Sequence, residues 1–354
     1  MLPHGSAWFD GHLAEGILDA GDDPGLLDGG GWWAVVITFE GEVRLWRFAD
    51  VEPTHRPLPS RAWHGPPPDA WRSTLDRAAY VAGVQEVRRR IREGEVYQVN
   101  LCRTLSAPVP PDADPWALAE LLAAGNPAPY AGVIDVPPVG RLPATRLVCA
   151  SPELLLGRDG DVVRCDPIKG TGRTDADLQP KDEAENVMIV DLVRNDLLRA
   201  CLPGSVAVPS LLRVERHPGL VHLVSTVEGR LAPGVGWSRL FDAVLPAGSV
   251  SGAPKSSALR AITDLEPQPR GPYCGAIGWV DADRGRARLA VGIRTFWWES
   301  ALLRFGTGAG ITWGSDADQE WEETELKRER LIGLASTPRA KSPARVPVTL
   351  RDRR

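Results

Sequence analysis

Short apolar runs, bounded by Gly, Pro and polar residues, dominate the chain and read as strands. Trp32 to Phe39 and Val43 to Phe48 flank Glu40-Gly41-Glu42, a hairpin signal. Val96 to Leu105, Tyr130 to Val136, Leu147 to Ser151, Leu154 to Arg158 and Asp161 to Cys165 follow. Val206 to Val214, Val221 to Val227, Gly275 to Val280, Arg286 to Phe296 and Leu302 to Ile311 complete the strands. Helical spacing is rarer. Tyr80, Val84, Val87 and Ile91 make one apolar stripe and predict a helix over Leu75 to Glu93. Asp114 and Pro115 start a short helix over Trp116 to Ala124. Lys181 to Ala200 is the strongest helix, with Val187, Met188, Ile189, Leu192, Val193 and Leu197 on its buried side. Trp237 to Val244, Lys255 to Asp264 and Asp318 to Leu331 are further helices.

Residues 1–30 read as loop, and Pro53 to Asp69, with six prolines, as a linker or extended surface loop. The expected organisation is N-terminal strands and a Pro-rich loop over 1–70, a main domain over 71–335 and a basic disordered tail over 336–354. Strands outnumber helices without regular alternation, which predicts an α+β fold with large, mainly antiparallel sheets.

Composition narrows the classes. A net charge of −5 gives no basic field for nucleic acid. No run approaches the ~18 apolar residues of a membrane span. Met1 to Asp28 lacks the form of a secretory signal. Five scattered cysteines, Cys102, Cys149, Cys165, Cys201 and Cys274, form no Cys-x-x-Cys pair and read as buried thiols of a cytoplasmic protein.

Candidate chemistry lies in four places. Lys169, in Asp166-Pro167-Ile168-Lys169-Gly170-Thr171, sits where a strand gives way to a turn; it is a solvated lysine or, if desolvated, a nucleophilic amine. Glu320 and Glu323 share one helix face, with Lys327 four residues on from Glu323. They make a solvated acidic face or, joined by a carboxylate among Asp182, Glu183, Glu185 and Asp191, a Mg²⁺ site. Acids in those first turns also simply suit the helix dipole. Gly306-Thr307-Gly308-Ala309-Gly310, expected between a strand and the acidic helix, offers backbone N–H groups to an anion. Arg294, inside an apolar strand, faces outward or holds a carboxylate.

Taken in order, these stretches resemble the chorismate-utilising enzymes, a family that includes anthranilate synthase component I, aminodeoxychorismate synthase component I and the isochorismate and salicylate synthases. The resemblance runs from about Tyr97 to Leu331. It is carried by Tyr97-Gln98-Val99-Asn100, Ser151-Pro152-Glu153, Pro167-Ile168-Lys169-Gly170-Thr171, and Glu185 with Val190 to Asp196. His222 to Thr226, Ser251 to Lys255, Ile293-Arg294-Thr295, Gly308-Ala309-Gly310 and Glu320 to Thr324 continue it.

The resemblance implies two large stacked antiparallel sheets flanked by helices, with the site between them. It implies Mg²⁺ held by Glu185, Glu320 and Glu323 against the ring carboxylate of chorismate. Arg294, Tyr273, Lys327 and the backbone of Gly308 and Gly310 would hold the pyruvyl side, and His222 and Thr226 would line the ring. Two positions separate the branches. Isochorismate and salicylate synthases carry a water-activating lysine at the position of Gln98, which argues here against hydroxyl transfer. Anthranilate synthases carry alanine at the position of Lys169, whereas lysine marks the branch that aminates carbon 4. The implied mechanism is covalent through Lys169, with Glu153 as general acid and ammonia as nucleophile. A separate glutamine amidotransferase subunit would supply the ammonia, and neither nucleic acid nor membrane is an expected partner. Arg173 is displaced by one from the family's Pro-Arg, and the N-terminal part is short and lacks a serine-bearing inhibitor motif, so no tryptophan feedback is expected.

Overall fold

A computed structural model of the chain describes residues 4–54, 61–172, 174–178, 180–217 and 220–336. The tail from Pro338 to Arg354, Pro57, Pro59 and Arg173 lie outside the described residues. The chain begins with β1 (Ser6–Phe9), β2 (His12–Gly21), β3 (Trp32–Ile37) and β4 (Val43–Pro53). A short β5 (Arg72–Ser73) leads to α1 (Arg77–Arg92), β6 (Gln98–Pro108) and α2 (Pro115–Gly125). Strands β7 (Tyr130–Val136), β8 (Thr145–Ser151), β9 (Leu154–Asp159), β10 (Val162–Asp166) and β11 (Ile168–Gly172) precede α3 (Pro180–Leu198). Next come β12 (Ala207–His217), β13 (Leu220–Arg230), α4 (Trp237–Val244), α5 (Gly248–Ser251), β14 (Gly252–Ala253) and α6 (Lys255–Leu265). The described chain closes with β15 (Ala276–Asp281), β16 (Arg286–Val291), β17 (Thr295–Glu299), β18 (Leu302–Ile311) and α7 (Ala317–Ser336).

The capping residues explain the helix starts. The Asp76 and Asp114 side chains accept from Ala79 N and Trp116 N, satisfying N–H groups that α1 and α2 leave open. Every strand pairing is antiparallel. Hydrogen bonding follows one path: β6, β18, β17, β8, β7, β1, β2, β4, β3, β15, β16, β9, β10, β13, β12. β5 and β14 join β6 at one end of that path, and β11 joins β13 at the other.

The path doubles back, so its two arms stack. Ile134, Leu147 and Cys149 of one arm share a buried cluster with Leu156, Ile277 and Leu289 of the other. On the outer face of the first arm, Val148 and Phe305 pack with Leu118 of α2 and Leu331 of α7, while Val99 and Ile311 pack with Tyr80 of α1 and Ala258 of α6. The expected α+β fold of two stacked antiparallel sheets flanked by helices is therefore present. All five cysteines are free and buried. Among the described residues, no helix is long and apolar enough to cross a membrane.

Several local expectations change. Within the stretch 1–30 expected as loop, Ser6–Phe9 and His12–Gly21 are strands: β1 and β2 join the middle of the sheet path. Ala7, Phe9, Ala14 and Ile17 supply their buried positions, and Asp10-Gly11, both at positive φ, makes the tight turn between them. The Pro-rich stretch is pinned rather than free at Trp63, whose buried indole donates to Ala335 O at 2.6 Å. The strand expected over Arg286 to Phe296 is broken between β16 and β17, where Arg294 takes a φ of 52°. Val187, expected on the buried side of α3, is exposed.

Candidate active site

The two ends of the sheet path converge on one strip of backbone. Gly306, Gly308 and Gly310 lie inside β18, the strand expected over Leu302 to Ile311, and alternation puts all three on one face. A methyl at Gly306 would stand 2.1 Å from Tyr273 Cγ, and at Gly308 2.5 Å from Cys102 Sγ. At Gly310 it would lie 2.3 Å from Gln98 Nε2 and 3.5 Å from Lys169 Nζ. The side chains of Tyr273, Cys102 and Gln98 therefore pack directly against this glycine face, and Lys169 Nζ lies at its Gly310 end. Lys327 Nζ donates to Gly308 O at 3.0 Å, so this row of peptides points away from β6. The Gly310 N–H therefore faces the same open edge.

Lys169 reaches the strip from β11. Opposite β13 it pairs with Leu223, and Thr171 pairs with His222, because the register slips at Gly170, which has a φ of 76°. Such a bulge re-aims a side chain. The missing Cβ of Gly170, 2.9 Å from Asp182 Cβ if built, makes room for α3. Lys169 is half-buried, and its Nζ donates to Ser249 O at 3.3 Å. His222 and Thr226 are buried on one face of β13.

Glu153, buried between β8 and β9, donates its N–H to Ser151 Oγ at 3.2 Å. Burial pushes its carboxyl up to about 7, against a side-chain hydrogen bond from Ser249, the charge of Lys169 and the Ile168 backbone. Ser249 thus touches both groups, its carbonyl taking the lysine and its hydroxyl the glutamate. Sequence reasoning missed Ser249; the only trace was its place just before the motif at Ser251 to Lys255.

The acids of α3 and α7 divide by environment. Arg103, buried in β6, donates through Nε to Thr324 Oγ1 at 3.1 Å, pairs with Glu325 and stacks on Trp321 at 4.1 Å. That clamp sets the rotation of α7 and leaves Glu320 and Glu323 off the clamped face. Lys327 Nζ pairs with Glu323 at 2.7 Å and is the main cause of its lowered pKa. Glu320 and Glu185 are both raised, first by burial and also by the charge of Glu323. Asp191 is exposed and paired with Arg194 at 2.8 Å, and Glu183 is exposed, so neither joins them. Among the described residues, no three of His, Cys, Asp or Glu form a ready-made metal cluster. Glu185, Glu320 and Glu323 still offer hard oxygen donors whose mutual repulsion a divalent cation would relieve, and they fit Mg²⁺ on that ground.

Arg294 and Tyr273 serve different neighbours. Among the described residues, no side chain is paired with the half-buried Arg294 guanidinium, and burial alone lowers its pKa. The Tyr273 hydroxyl stands 3.8 Å from Cys102 Sγ, with burial raising its pKa. Gln98 is buried and its Oε1 has no partner. Two buried ion pairs escaped the sequence. Arg270 binds Glu266, Val250 O and Asn100 O, while Glu266 also takes the Cys102 N–H at 2.9 Å. Lys255 Nζ meets Asp196 Oδ2 at 2.7 Å, tying two of the quoted motifs together.

An amine beside a glycine strip, a buried carboxyl with a raised pKa and an arginine with no paired side chain among the described residues are the kinds of group that an enzyme site for a small anionic substrate uses. The chorismate binding enzyme family matches residues 40–333. The chain is 39% identical over 272 residues to anthranilate synthase component 1 1 of Haloarcula marismortui, covering 73% of this chain and 54% of that protein. It is 34% identical over 325 residues to aminodeoxychorismate synthase component 1 of Salmonella typhimurium, covering 87% and 69%. Its fold matches anthranilate synthase component I of Streptococcus pneumoniae with a TM-score of 0.74 at 24% identity, over 94% of this chain and 90% of that one. The chain belongs to the chorismate binding enzyme family. It spans between about half and two thirds of the length of the curated relatives it matches.

Proposed function

We propose that this chain is the chorismate-aminating component of an aminodeoxychorismate synthase. It would convert chorismate and ammonia to 4-amino-4-deoxychorismate, a precursor of 4-aminobenzoate and folate. The link through Ser249 supports this most directly, since it holds an amine and a proton-bearing carboxyl together. The Lys169 amine attacks carbon 2, the double bonds shift, and the carbon-4 oxygen leaves as water with the proton of Glu153. Ammonia then adds at carbon 4, and the bond to Lys169 breaks. Arg294 takes the pyruvyl carboxylate, helped by Tyr273, Lys327 and the Gly308 and Gly310 backbone, while His222 and Thr226 line the ring. Gln98, with its free acceptor, suits an N–H donor better than a water-activating lysine would. Glu185, Glu320 and Glu323 would hold Mg²⁺, which supplies positive charge to the ring carboxylate when bound. The ammonia would come from a separate glutamine amidotransferase, as relatives named component 1 imply a second component.

A second reading is anthranilate synthase component I, favoured by the 39% identity to such a relative. Purified chain with chorismate, Mg²⁺ and an ammonium salt separates the two. The expected product by mass is aminodeoxychorismate, converted by an added lyase to 4-aminobenzoate, and lost with Lys169→Ala. Fluorescent anthranilate instead would reject carbon-4 amination.

A further inference from the structure

Behind Glu153 the fold leaves a small cavity of about 20 Å³. Glu153, Asp196 and Ser249 line it among apolar neighbours such as Leu155, Val193 and Val244. A water needs roughly 10–15 Å³ of such space and two to four polar partners. Here the space suffices for one water, and Glu153, Asp196 and Ser249 are the residues of its lining with polar side chains. Asp196 is buried, and nothing in the amination chemistry uses it. Its partner Lys255, with a side chain 21% exposed, reaches toward solvent from the far side. The Cys165 thiol, on the same wall, is held protonated by burial first and by the charges of both Asp196 and Glu153. Both carboxyl groups therefore border one spot.

We propose that Asp196 is a positioning residue that acts through a water in this cavity to return a proton to Glu153 between turnovers. This rests on Glu153 being the general acid. When the carbon-4 to oxygen bond breaks, the proton of Glu153 leaves on the departing water. The amine product carries an extra proton as ammonium, and Glu153 stays behind as a carboxylate. Product covers the front of Glu153 at that moment. At the rear, the cavity water gives Glu153 one proton and takes one from Asp196. Asp196 is in turn resupplied with a proton from solvent along its partner Lys255. Only protons move, and the one that enters balances the one the product removes. Burial raises the pKa of the Asp196 carboxyl while Lys255 opposes that rise.

Two variants test this in the full chain with chorismate, Mg²⁺ and ammonium salt. Asp196→Asn removes the transferable proton; Ala247→Val fills the cavity and leaves the Asp196–Lys255 pair intact. Each is expected to keep the first turnover at the parent rate as a burst stoichiometric with enzyme. Steady-state turnover then falls about tenfold or more, with a larger solvent deuterium isotope effect. A loss of packing alone would lower both phases together. Equal loss in both phases, or an unchanged steady state in Ala247→Val, overturns the relay. If Asp196→Asn does not fold, Ala247→Val decides alone. Product mass in the parent's first turnover separates this failure from that of the amination reading.

Discussion

Replacing Glu153 by Gln is expected to stabilise the fold at alkaline pH while destroying turnover. The group is only 5% exposed, so moving its charge out of water is costly. Its carboxyl is held at about 7 against an ordinary 4.5, with burial as the main cause. That gap converts to roughly 3 kcal/mol of stability that the folded state lacks once the group ionises. The sign follows from proton binding. Between pH 4.5 and about 7 the folded chain holds a proton that the unfolded chain has released, so stability falls as pH rises. Gln has no proton to lose and still offers Ser249 a hydrogen-bond partner. Urea unfolding at about pH 5 and about pH 8 is therefore expected to show a gain for Glu153→Gln that grows toward roughly 3 kcal/mol at the higher pH. Amination by the same variant falls by about two to four orders of magnitude, since the leaving oxygen has no proton donor. A gain equal at both pH values would refute the reasoning, because Glu153 would not then be held protonated by burial.

Three further outcomes are expected. Arg294→Gln raises the KM for chorismate by about tenfold or more with a smaller change in kcat, as a charge-assisted contact to a carboxylate is lost; an effect on kcat alone would remove Arg294 from the binding role. Gly310→Ala forces its methyl against Gln98 Nε2 at 2.3 Å, so chorismate binding falls by calorimetry while unfolding changes by about 1–3 kcal/mol; normal binding would mean the strip is not the substrate floor. Added Mg²⁺ raises the melting temperature of the parent, and chelation reverses both that gain and the activity; a gain that persists in Glu320→Gln combined with Glu323→Gln would move the metal elsewhere.

Much of this chain was legible from local pattern. The helix starts at Asp76 and Asp114 follow from side chains that satisfy N–H groups within a few residues, which is local chemistry. The ordered motifs from Gln98 to Thr324 identified the family, and with it the residues worth following. Glycines at 306, 308 and 310 were visible inside the strand expected over Leu302 to Ile311, but their meaning was not: what packs on their face stays open until the neighbouring strand is known. Here β6 is that neighbour, some two hundred residues away, and the pairing turned the run into a one-faced strip. Arg294 was misplaced for a related reason, since its left-handed kink is imposed by the two strands it joins.

The amino-acid order alone determined which side chains each strand and helix would present, because faces repeat with a period of two or 3.6. It also determined that a lysine, several glutamates and an arginine in an apolar stretch were available. Only the tertiary structure decided that the opposite ends of a fifteen-strand path, one bearing Gln98 and Gly310 and the other Lys169, meet. It alone decided that Glu153 is buried beside Ser249. Proximity between distant segments and the loss of water around a charge belong to the whole packed sheet, so no stretch of sequence carries either one.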